Sequence, residues 1–305
     1  MEIYMKQKKL ITLTALSALL AVPVTVNAEL SGNMNIANET ESTRFDDPNL
    51  TDRGFSKWEV SAFLQDKYKN PGWFGGFYMM NEDGFQEQLE NQTYTGANSV
   101  IETYLGKFND TSWGNWGAEL MIGHESAPDA YKMRPKVFAW HPITNNLSIK
   151  GYAMYVIQDT RLAKDKFEAQ MMTEFETEPE ISYRLTDTVG TYLKVYWRDR
   201  TQKIYNTSND RSEQEFSLKP GITMDFGQLK TSLWAEFGNW KLEDKEQVLR
   251  EYDYWALAGT AEYPIADSLV LTSRVSYQSN KFKAGPWDAS DSYMPGFKIG
   301  VRYLF

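Results

Sequence analysis

The nine residues from Phe297 to Phe305, F-K-I-G-V-R-Y-L-F, decide the fold of this chain. Hydrophobic side chains stand at every second position, and the positions between them are mostly polar. Because side chains on a β-strand alternate between two faces, this period of two predicts a strand with one apolar face. The ends of soluble domains are usually frayed, whereas this sequence closes on an aromatic residue. We therefore expect Phe305 to be built into a sheet whose apolar face contacts lipid; the alternative is an edge strand of a soluble β-sandwich.

The first 28 residues have the organisation of a secretory signal peptide. Three lysines between positions 6 and 9 precede an apolar run at residues 10–22, which is too short to cross a bilayer. Small residues then end in Val26-Asn27-Ala28, which resembles a cleavage site. The sequence predicts cleavage after Ala28, export of the chain, and one mature domain over residues 29–305.

Composition excludes several classes of protein. The formal net charge is −9, so nucleic acid is not an expected partner. The chain has no cysteine, so no disulfide can stabilise it in an oxidising compartment. Beyond the signal peptide, no apolar run reaches the roughly 18 residues of a transmembrane helix. A membrane β-barrel agrees with this composition because half of each of its strands faces water.

The alternation recurs along the whole mature chain, in segments of about ten residues joined by turn residues. Six connections are short, and seven are longer and polar. This layout predicts an all-β fold, a transmembrane antiparallel up-and-down β-barrel of 14 strands with short periplasmic turns and long extracellular loops. Lipid offers no hydrogen bonds, so the first strand must pair with the last. The predicted strands are residues 30–39, 57–67, 73–80, 99–108, 115–124, 132–141, 147–158, 174–184, 189–200, 213–224, 229–238, 252–263, 269–278 and 296–305.

Two segments leave alternatives open. Residues 29–56 are the least regular part of the pattern, and they fit either a first strand with its loop or a plug inside the barrel. The predicted loop from Gly238 to Glu251 is long enough to fold over the barrel mouth.

The same alternation assigns the side chains that face the barrel interior. Four glutamates follow one another on a single inner face, and such like charges are tolerable only in water and beside cations. Fourteen strands should enclose a water-filled lumen. The inner aromatic residues suit either the faces of sugars or simple packing over their neighbours. The predicted charged pore-lining residues are Arg134, Lys136, Lys150, Glu174, Glu176, Glu178, Glu180, Lys194, Arg198, Arg200, Glu215, Glu236, Arg274, Lys298 and Arg302, and the aromatic ones are Tyr152, Tyr192, Tyr196, Trp234 and Tyr254.

Three stretches resemble the outer membrane protein G family in hairpin length and turn type. They are T-E-P-E-I-S-Y-R-L-T-D-T-V-G-T-Y-L-K-V-Y-W-R (177–198), E-F-S-L-K-P-G-I-T-M-D-F-G-Q-L (215–229) and the C-terminal nine residues. The resemblance implies a monomeric bacterial outer-membrane porin through which mono- and oligosaccharides diffuse passively. The histidine pair that gates the family's namesake by pH, on the twelfth and thirteenth strands, has no counterpart here. We expect as partners the lipid bilayer, lipopolysaccharide, small sugars as solutes, and the barrel-assembly machinery acting on Phe305.

Three other functions compete with that of a sugar channel. An oligogalacturonate-type channel would have a strongly basic lumen, and the ladder from Glu174 to Glu180 argues against it. An enzyme needs a nucleophile, a base and an orienting group close together, yet His124 and His141 fall at opposite ends of their strands and no G-x-S-x-G occurs. An adhesin or structural barrel would need longer loops. We therefore predict no enzymatic activity, no cofactor and no metal site.

Overall fold

The chain forms a closed antiparallel β-barrel of 14 strands, which confirms the predicted fold class. The computed structural model describes residues 30–66, 72–84, 87–89, 92–94, 97–126, 129–160, 169–204, 210–245 and 247–305; the predicted signal peptide and its cleavage site lie outside them. The strands are β1 Leu30–Phe45, β2 Arg53–Asp66, β3 Gly72–Gly84, β4 Ala97–Thr111, β5 Gly114–Ser126, β6 Asp129–Pro142, β7 Leu147–Thr160, β8 in two parts (Ala169–Thr177 and Glu180–Arg184), β9 Val189–Ile204, β10 Asp210–Asp225, β11 Lys230–Asp244, β12 Gln247–Ala266, β13 Leu269–Ala284 and β14 Ser292–Leu304. A short hairpin, Glu87–Leu89 with Gln92–Tyr94, lies between β3 and β4.

The described residues contain no helix that is long and apolar enough to cross a membrane.

The first and last strands close the barrel. β1 pairs with β14 from Asn33 opposite Leu304 to Phe45 opposite Ser292. The backbone N–H of Gly32 donates to the carbonyl of Phe305 (2.9 Å), and the N–H of Phe305 donates back to Gly32 (3.2 Å). The C-terminal residue is therefore held by both its backbone groups, as the sequence predicted. Residues 30–45 form a wall strand, so the plug alternative is wrong for them.

The outer surface is a continuous hydrophobic belt. Leu105, Val137, Leu257 and Val275, from four different strands, are each more than half exposed. Their chain neighbours point to the opposite face because strand side chains alternate. Since apolar surface in water costs roughly 25 cal/mol per Å², a belt of this size indicates contact with lipid.

Strand β8 is interrupted by Pro179 but keeps its register. Its two parts pair with β9 and with β7 in one uninterrupted alignment, from Thr177 opposite Trp197 to Glu180 opposite Lys194. The N–H of Val195 donates to the carbonyl of Pro179 (2.9 Å), but proline has no N–H to return the bond. Because no residue is inserted, the glutamates before and after Pro179 stay on the same face.

Several strands extend beyond the ends that the sequence predicted. β11 continues to Asp244 and β12 begins at Gln247, so most of the segment from Gly238 to Glu251 is a hairpin and not a loop over the mouth. Past the membrane both faces of a strand are polar, so the alternation disappears from the sequence. The backbone ladder continues there because its hydrogen bonds do not depend on which side chains face outward.

Candidate functional site

The barrel has one concave inner face, which contacts between non-neighbouring strands identify. Lys219 of β10 reaches Glu178 of β8 (Nζ to Oε2, 3.0 Å), and Arg302 of β14 pairs with Glu262 of β12. Such contacts pass over an intervening strand, which is possible only on the inside of a barrel. Direct cross-strand partners share a face. By this register the charged and aromatic residues named in the sequence analysis as pore-lining all lie on the inner face.

Carboxylates and cations alternate around this inner wall where β8, β9 and β10 lie side by side, in the half of the barrel away from the short turns. Arg200 lies 2.6 Å from Glu174 and 2.8 Å from Glu213. Arg198 also contacts Glu213 (2.5 Å) and lies 2.9 Å from Glu215. These groups share counter-charges across three strands, which offsets the repulsion among the glutamates.

A second row of pairs lies closer to the short turns. Lys194 and Lys219 both donate to Glu178, at 3.1 and 3.0 Å. Lys150 contacts Glu180 at 3.1 Å, and Lys219 lies 3.5 Å from Glu236. Glu176 is held differently, because the hydroxyls of two tyrosines, Tyr152 (2.5 Å) and Tyr196 (3.1 Å), donate to it. We call the following residues the inner ion-pair network: Lys150, Glu174, Glu176, Glu178, Glu180, Lys194, Arg198, Arg200, Glu213, Glu215, Lys219 and Glu236.

One member of this network, Lys219, was not expected from the sequence. Its position could have been predicted, because Lys219 alternates with the predicted Glu215 on β10. The opposite wall carries a further set of pairs in which Lys298 contacts Glu59 and lies 3.4 Å from Glu39. Lys57 lies 3.0 Å from Glu39 and so joins the same group.

Three of the predicted cations have no carboxylate partner within the described part of the chain: Arg134, Lys136 and Arg274. Lys136 instead lies 5.0 Å from the ring centre of Tyr152, and Arg274 lies 5.5 Å from that of Trp234. Both distances are within the range of a cation–π interaction.

The other three predicted inner aromatics, Tyr192, Tyr196 and Tyr254, are also covered. Lys219 lies 4.3 Å from the ring centre of Tyr196, and Lys194 lies 5.6 Å from that of Tyr192. Tyr254 is buried, and its hydroxyl lies 2.8 Å from Glu215 and 3.0 Å from Glu236. These contacts favour packing over open sugar-binding faces for the five predicted aromatic residues.

One patch of the inner wall is apolar, and the sequence analysis missed it. Phe74 on β3 is buried among Phe63, Phe108 and Phe138, with ring centres 5.7–6.4 Å apart. Phe74 belongs to the segment W-F-G-G-F-Y-M-M (73–80), in which apolar residues occupy both faces. The alternation therefore gave no signal for which of them point inward.

The lumen widens into a cavity of about 860 Å³ at the end of the barrel that carries the short turns. We call this end the short-turn end. A smaller pocket of about 310 Å³ lies beside it on the wall formed by β6 to β9. Trp140, Lys150 and Glu180 line both spaces.

At the other end of the barrel, the connection between β13 and β14 contacts distant strands. Within residues 285–291, Asp288 pairs with Arg53 of β2 and with Arg250 of β12. The N–H of Trp287 donates to the carbonyl of Leu249 (3.1 Å). Two arginines from different strands therefore hold the Asp288 carboxylate.

The candidate metal ligands and the two histidines lie apart among the described residues. The described His, Cys, Asp and Glu side chains contain no group of three that could hold a metal ion. His124 contacts Asp129 (2.6 Å) near one end of the barrel, and His141 contacts the carbonyl of Trp113 in a short turn at the other. Both histidines lie on the outer face.

The comparison with protein families decides the classification. The family model described as the OMPG-porin 1 family matches residues 10–305. The chain belongs to the OMPG-porin 1 family. Membership of this porin family, with the closed barrel and its apolar belt, makes the chain an outer-membrane porin. No curated protein matches the sequence.

Several solved structures are similar to this OMPG-porin 1 family member at low sequence identity. The KdgM porin in complex with disordered oligogalacturonate is 8% identical, with 89% of this chain and 99% of that chain covered and a TM-score of 0.37. The anion-selective porin from Comamonas acidovorans is 8% identical, with 90% and 99% covered and a TM-score of 0.44. OmpT of Vibrio cholerae is 11% identical, with 93% and 100% covered and a TM-score of 0.44.

Proposed function

We propose that the protein is a monomeric channel of the bacterial outer membrane for passive diffusion of small hydrophilic solutes, mainly mono- and oligosaccharides. The observation that carries this proposal is the inner ion-pair network. Ionised groups in such number are stable inside a barrel only if water reaches them. Because acidic and basic groups alternate around the wall, the lumen should pass neutral solutes and select only weakly between ions.

Recordings on single barrels refolded into planar bilayers test this proposal. We expect a steady ionic current with weak ion selectivity, and partial block when a neutral oligosaccharide such as maltotriose is added. Absence of current from correctly folded protein would contradict the channel. Liposome swelling in sugars of increasing size would then give the size limit for permeation.

A second candidate is a channel that prefers acidic oligosaccharides. Arg134, Lys136 and Arg274 favour it, because these inner cations have no carboxylate partner in the described residues. The remaining inner cations are largely neutralised by glutamates, so we place this candidate second. Stronger block by oligogalacturonate than by maltotriose at equal concentration would reverse the order.

We propose no catalytic role for the barrel. The two histidines are at opposite ends and on the outer face, so neither can serve a nucleophile in the lumen. Lipase and peptidase assays on the refolded protein should give no turnover above that of a heat-denatured sample.

The partners expected from sequence also stay proposals. The backbone of Phe305 is paired with Gly32, while its ring is half exposed at the barrel surface. An exposed terminal aromatic ring is a feature that the barrel-assembly machinery could recognise. The apolar belt is proposed to contact the bilayer, including lipopolysaccharide.

A further inference from the structure

One inner aromatic ring differs from the others in its exposure. Trp140 on β6 is 42% exposed, although it lies on the inner face opposite Lys150. Among the aromatic residues on the inner face of the described strands, Trp140 alone is exposed. The ring faces of Tyr152, Tyr196 and Trp234 are instead covered by cations. Trp140 therefore offers an open aromatic surface to the lumen.

This open ring lies where two cavities meet. Trp140 lines both the 860 Å³ cavity at the short-turn end and the 310 Å³ pocket on the wall. Phe138 and Tyr152 add apolar surface to the smaller pocket. Both volumes are in the range of roughly 300–1,000 Å³ that small-molecule sites occupy.

Hydrogen-bonding groups follow Trp140 along the same cross-strand row. Lys150 is directly opposite Trp140, and Glu180 is directly opposite Lys150 on the next strand. Lys150 and Glu180 form an ion pair at 3.1 Å in which half of the lysine side chain is exposed. Lys150 therefore presents a donor at one edge of the ring, and the buried carboxylate of Glu180 holds it in place.

The wider cavity beyond this pair is lined by hydroxyl groups. Ser148 and Ser182 are directly opposite each other, and Ser182 is opposite Tyr192. The hydroxyls of Tyr192 and Ser232 lie 3.3 Å apart on the same side of the cavity. Hydroxyls offer both donors and acceptors without net charge.

A pyranose ring matches this arrangement. It has an apolar C–H face that can lie on an indole and a rim of hydroxyls that need donors and acceptors. We propose that Trp140 is the stacking platform of a saccharide subsite at the short-turn end, with Lys150, held by Glu180, donating to the hydroxyls of one neutral hexose unit. A neutral unit is favoured because the nearby cations Lys150 and Lys194 are already paired with glutamates. This inference rests on the proposed sugar-channel function and adds the site that slows the sugar.

Current block by maltotriose tests the subsite. We expect Trp140→Ala to weaken the block about two- to twelvefold, and Trp140→Tyr to keep part of it, since aromatic contacts are worth about 0.5–1.5 kcal/mol. Trp116→Ala is the matched control, because Trp116 lies on the neighbouring strand with its exposed ring on the outer face. Equal block in wild type, Trp140→Ala and Trp116→Ala would overturn the subsite and leave the channel intact.

A second measurement on the wild-type protein does not depend on current or on a variant folding. Oxidation of tryptophans by N-bromosuccinimide is mapped by mass spectrometry with and without maltotriose. We expect the sugar to slow oxidation at Trp140 and to leave Trp58, which lies on the lipid-facing surface, unchanged. Protection without any current would support the subsite while contradicting the channel. Unprotected Trp140 in a protein that conducts would overturn the subsite alone.

Discussion

Arg53 and Asp288 form a two-point ion pair across the loop end of the barrel. Arg53 Nη2 lies 2.8 Å from Asp288 Oδ1, and Arg53 Nη1 lies 3.0 Å from Oδ2. Arg250 Nη1 approaches the same Oδ2 at 3.0 Å, and both side chains of the two-point pair are largely buried. Asp288 also has a positive φ of 46°, a conformation that aspartate and asparagine adopt more readily than most residues. This one carboxylate therefore fixes the connection 285–291 to strands β2 and β12.

Removing that carboxylate should release the connection from the barrel mouth. We expect Asp288→Ala to lower the free energy of unfolding by about 2 kcal/mol, because hydrogen bonds to charged groups contribute about 1.5–3 kcal/mol. The single-channel current should become noisier because residues 285–291 lose two side-chain anchors, Arg53 and Arg250, and keep only their other contacts. Thermal unfolding in detergent and bilayer recording measure the two effects.

Two further variants separate charge from backbone and from general surface effects. Asp288→Asn keeps a residue that tolerates positive φ and removes only the charge, so most of the loss should remain. Asp187→Ala changes an exposed aspartate in a short turn and should leave stability and current unchanged. If Asp288→Ala behaved like Asp187→Ala, the connection would not be held by this ion pair.

The inner ion-pair network should set the weak ion selectivity of the channel. Glu178 neutralises Lys194 and Lys219, so Glu178→Gln leaves two cations with less counter-charge and should shift selectivity toward anions. Lys219→Gln should shift it toward cations. The zero-current potential in a KCl gradient measures both changes.

A cation outside the lumen supplies the control for that experiment. Lys283 lies on the outer face, near Glu251 and Asp253 (3.2 and 3.3 Å). Lys283→Gln removes the same charge and should not move the zero-current potential. Equal shifts for Lys219→Gln and Lys283→Gln would show that overall charge, and not the inner wall, governs selectivity.

The strand alternation predicted the barrel because the membrane imposes it on every strand. Ile299 must face lipid and Lys298 must not, so the sequence of β14 predicts both that it is a strand and which side chains lie on each face. The membrane does not impose this alternation on the parts of strands that extend beyond it. The sequence therefore predicted a loop where the β11–β12 hairpin lies. It also fails where both faces are apolar, as around Phe74.

The partners of the inner charges could not be predicted from sequence for a different reason. The alternation places Arg198 and Glu213 on inner faces, but their pairing depends on the register between β9 and β10. The pairing of Arg53 with Asp288 is even harder to predict from sequence, because these residues meet only once the barrel closes and a loop turns inward. The open ring of Trp140 likewise depends on which neighbours leave it uncovered.

A charge in the middle of the outer belt should prevent stable insertion. Ile299 lies on the outer face of β14 between the outward tyrosines Tyr293 and Tyr303. Ile299→Arg should therefore cost about 2–4 kcal/mol, the depth-dependent penalty for arginine near the bilayer midplane. Urea titration of refolding into liposomes measures it.

The rim of the same surface offers a matched control. Ser279 on β13 lies opposite Trp255 on one side and Tyr293 on the other. The ring of Tyr277, two residues earlier, contacts both of these aromatic rings. Arginine there is near the interface, where the penalty falls to about 0–1 kcal/mol. Equal losses for Ile299→Arg and Ser279→Arg would mean that the belt does not lie where the alternation places it.

The last prediction concerns a glycine that the inner aromatic packing requires. Gly238 on β11 is directly opposite Tyr254, and a Cβ at this position would lie 2.4 Å from Tyr254 Cζ. Tyr254 has no room to move, because it is buried and its hydroxyl contacts Glu215 and Glu236. Gly238→Ala should therefore lower the free energy of unfolding by about 1–3 kcal/mol, as overpacking of a core does. Urea unfolding measures this loss.

Gly259→Ala on β12 is the control. There the nearest atom, 2.6 Å away, is at the end of the half-exposed side chain of Leu233, which can rotate aside. In a Tyr254→Leu background the cost of Gly238→Ala should shrink, since contacting residues couple in a double-mutant cycle. An unchanged cost in that background would show that the tyrosine ring is not what excludes a side chain at Gly238.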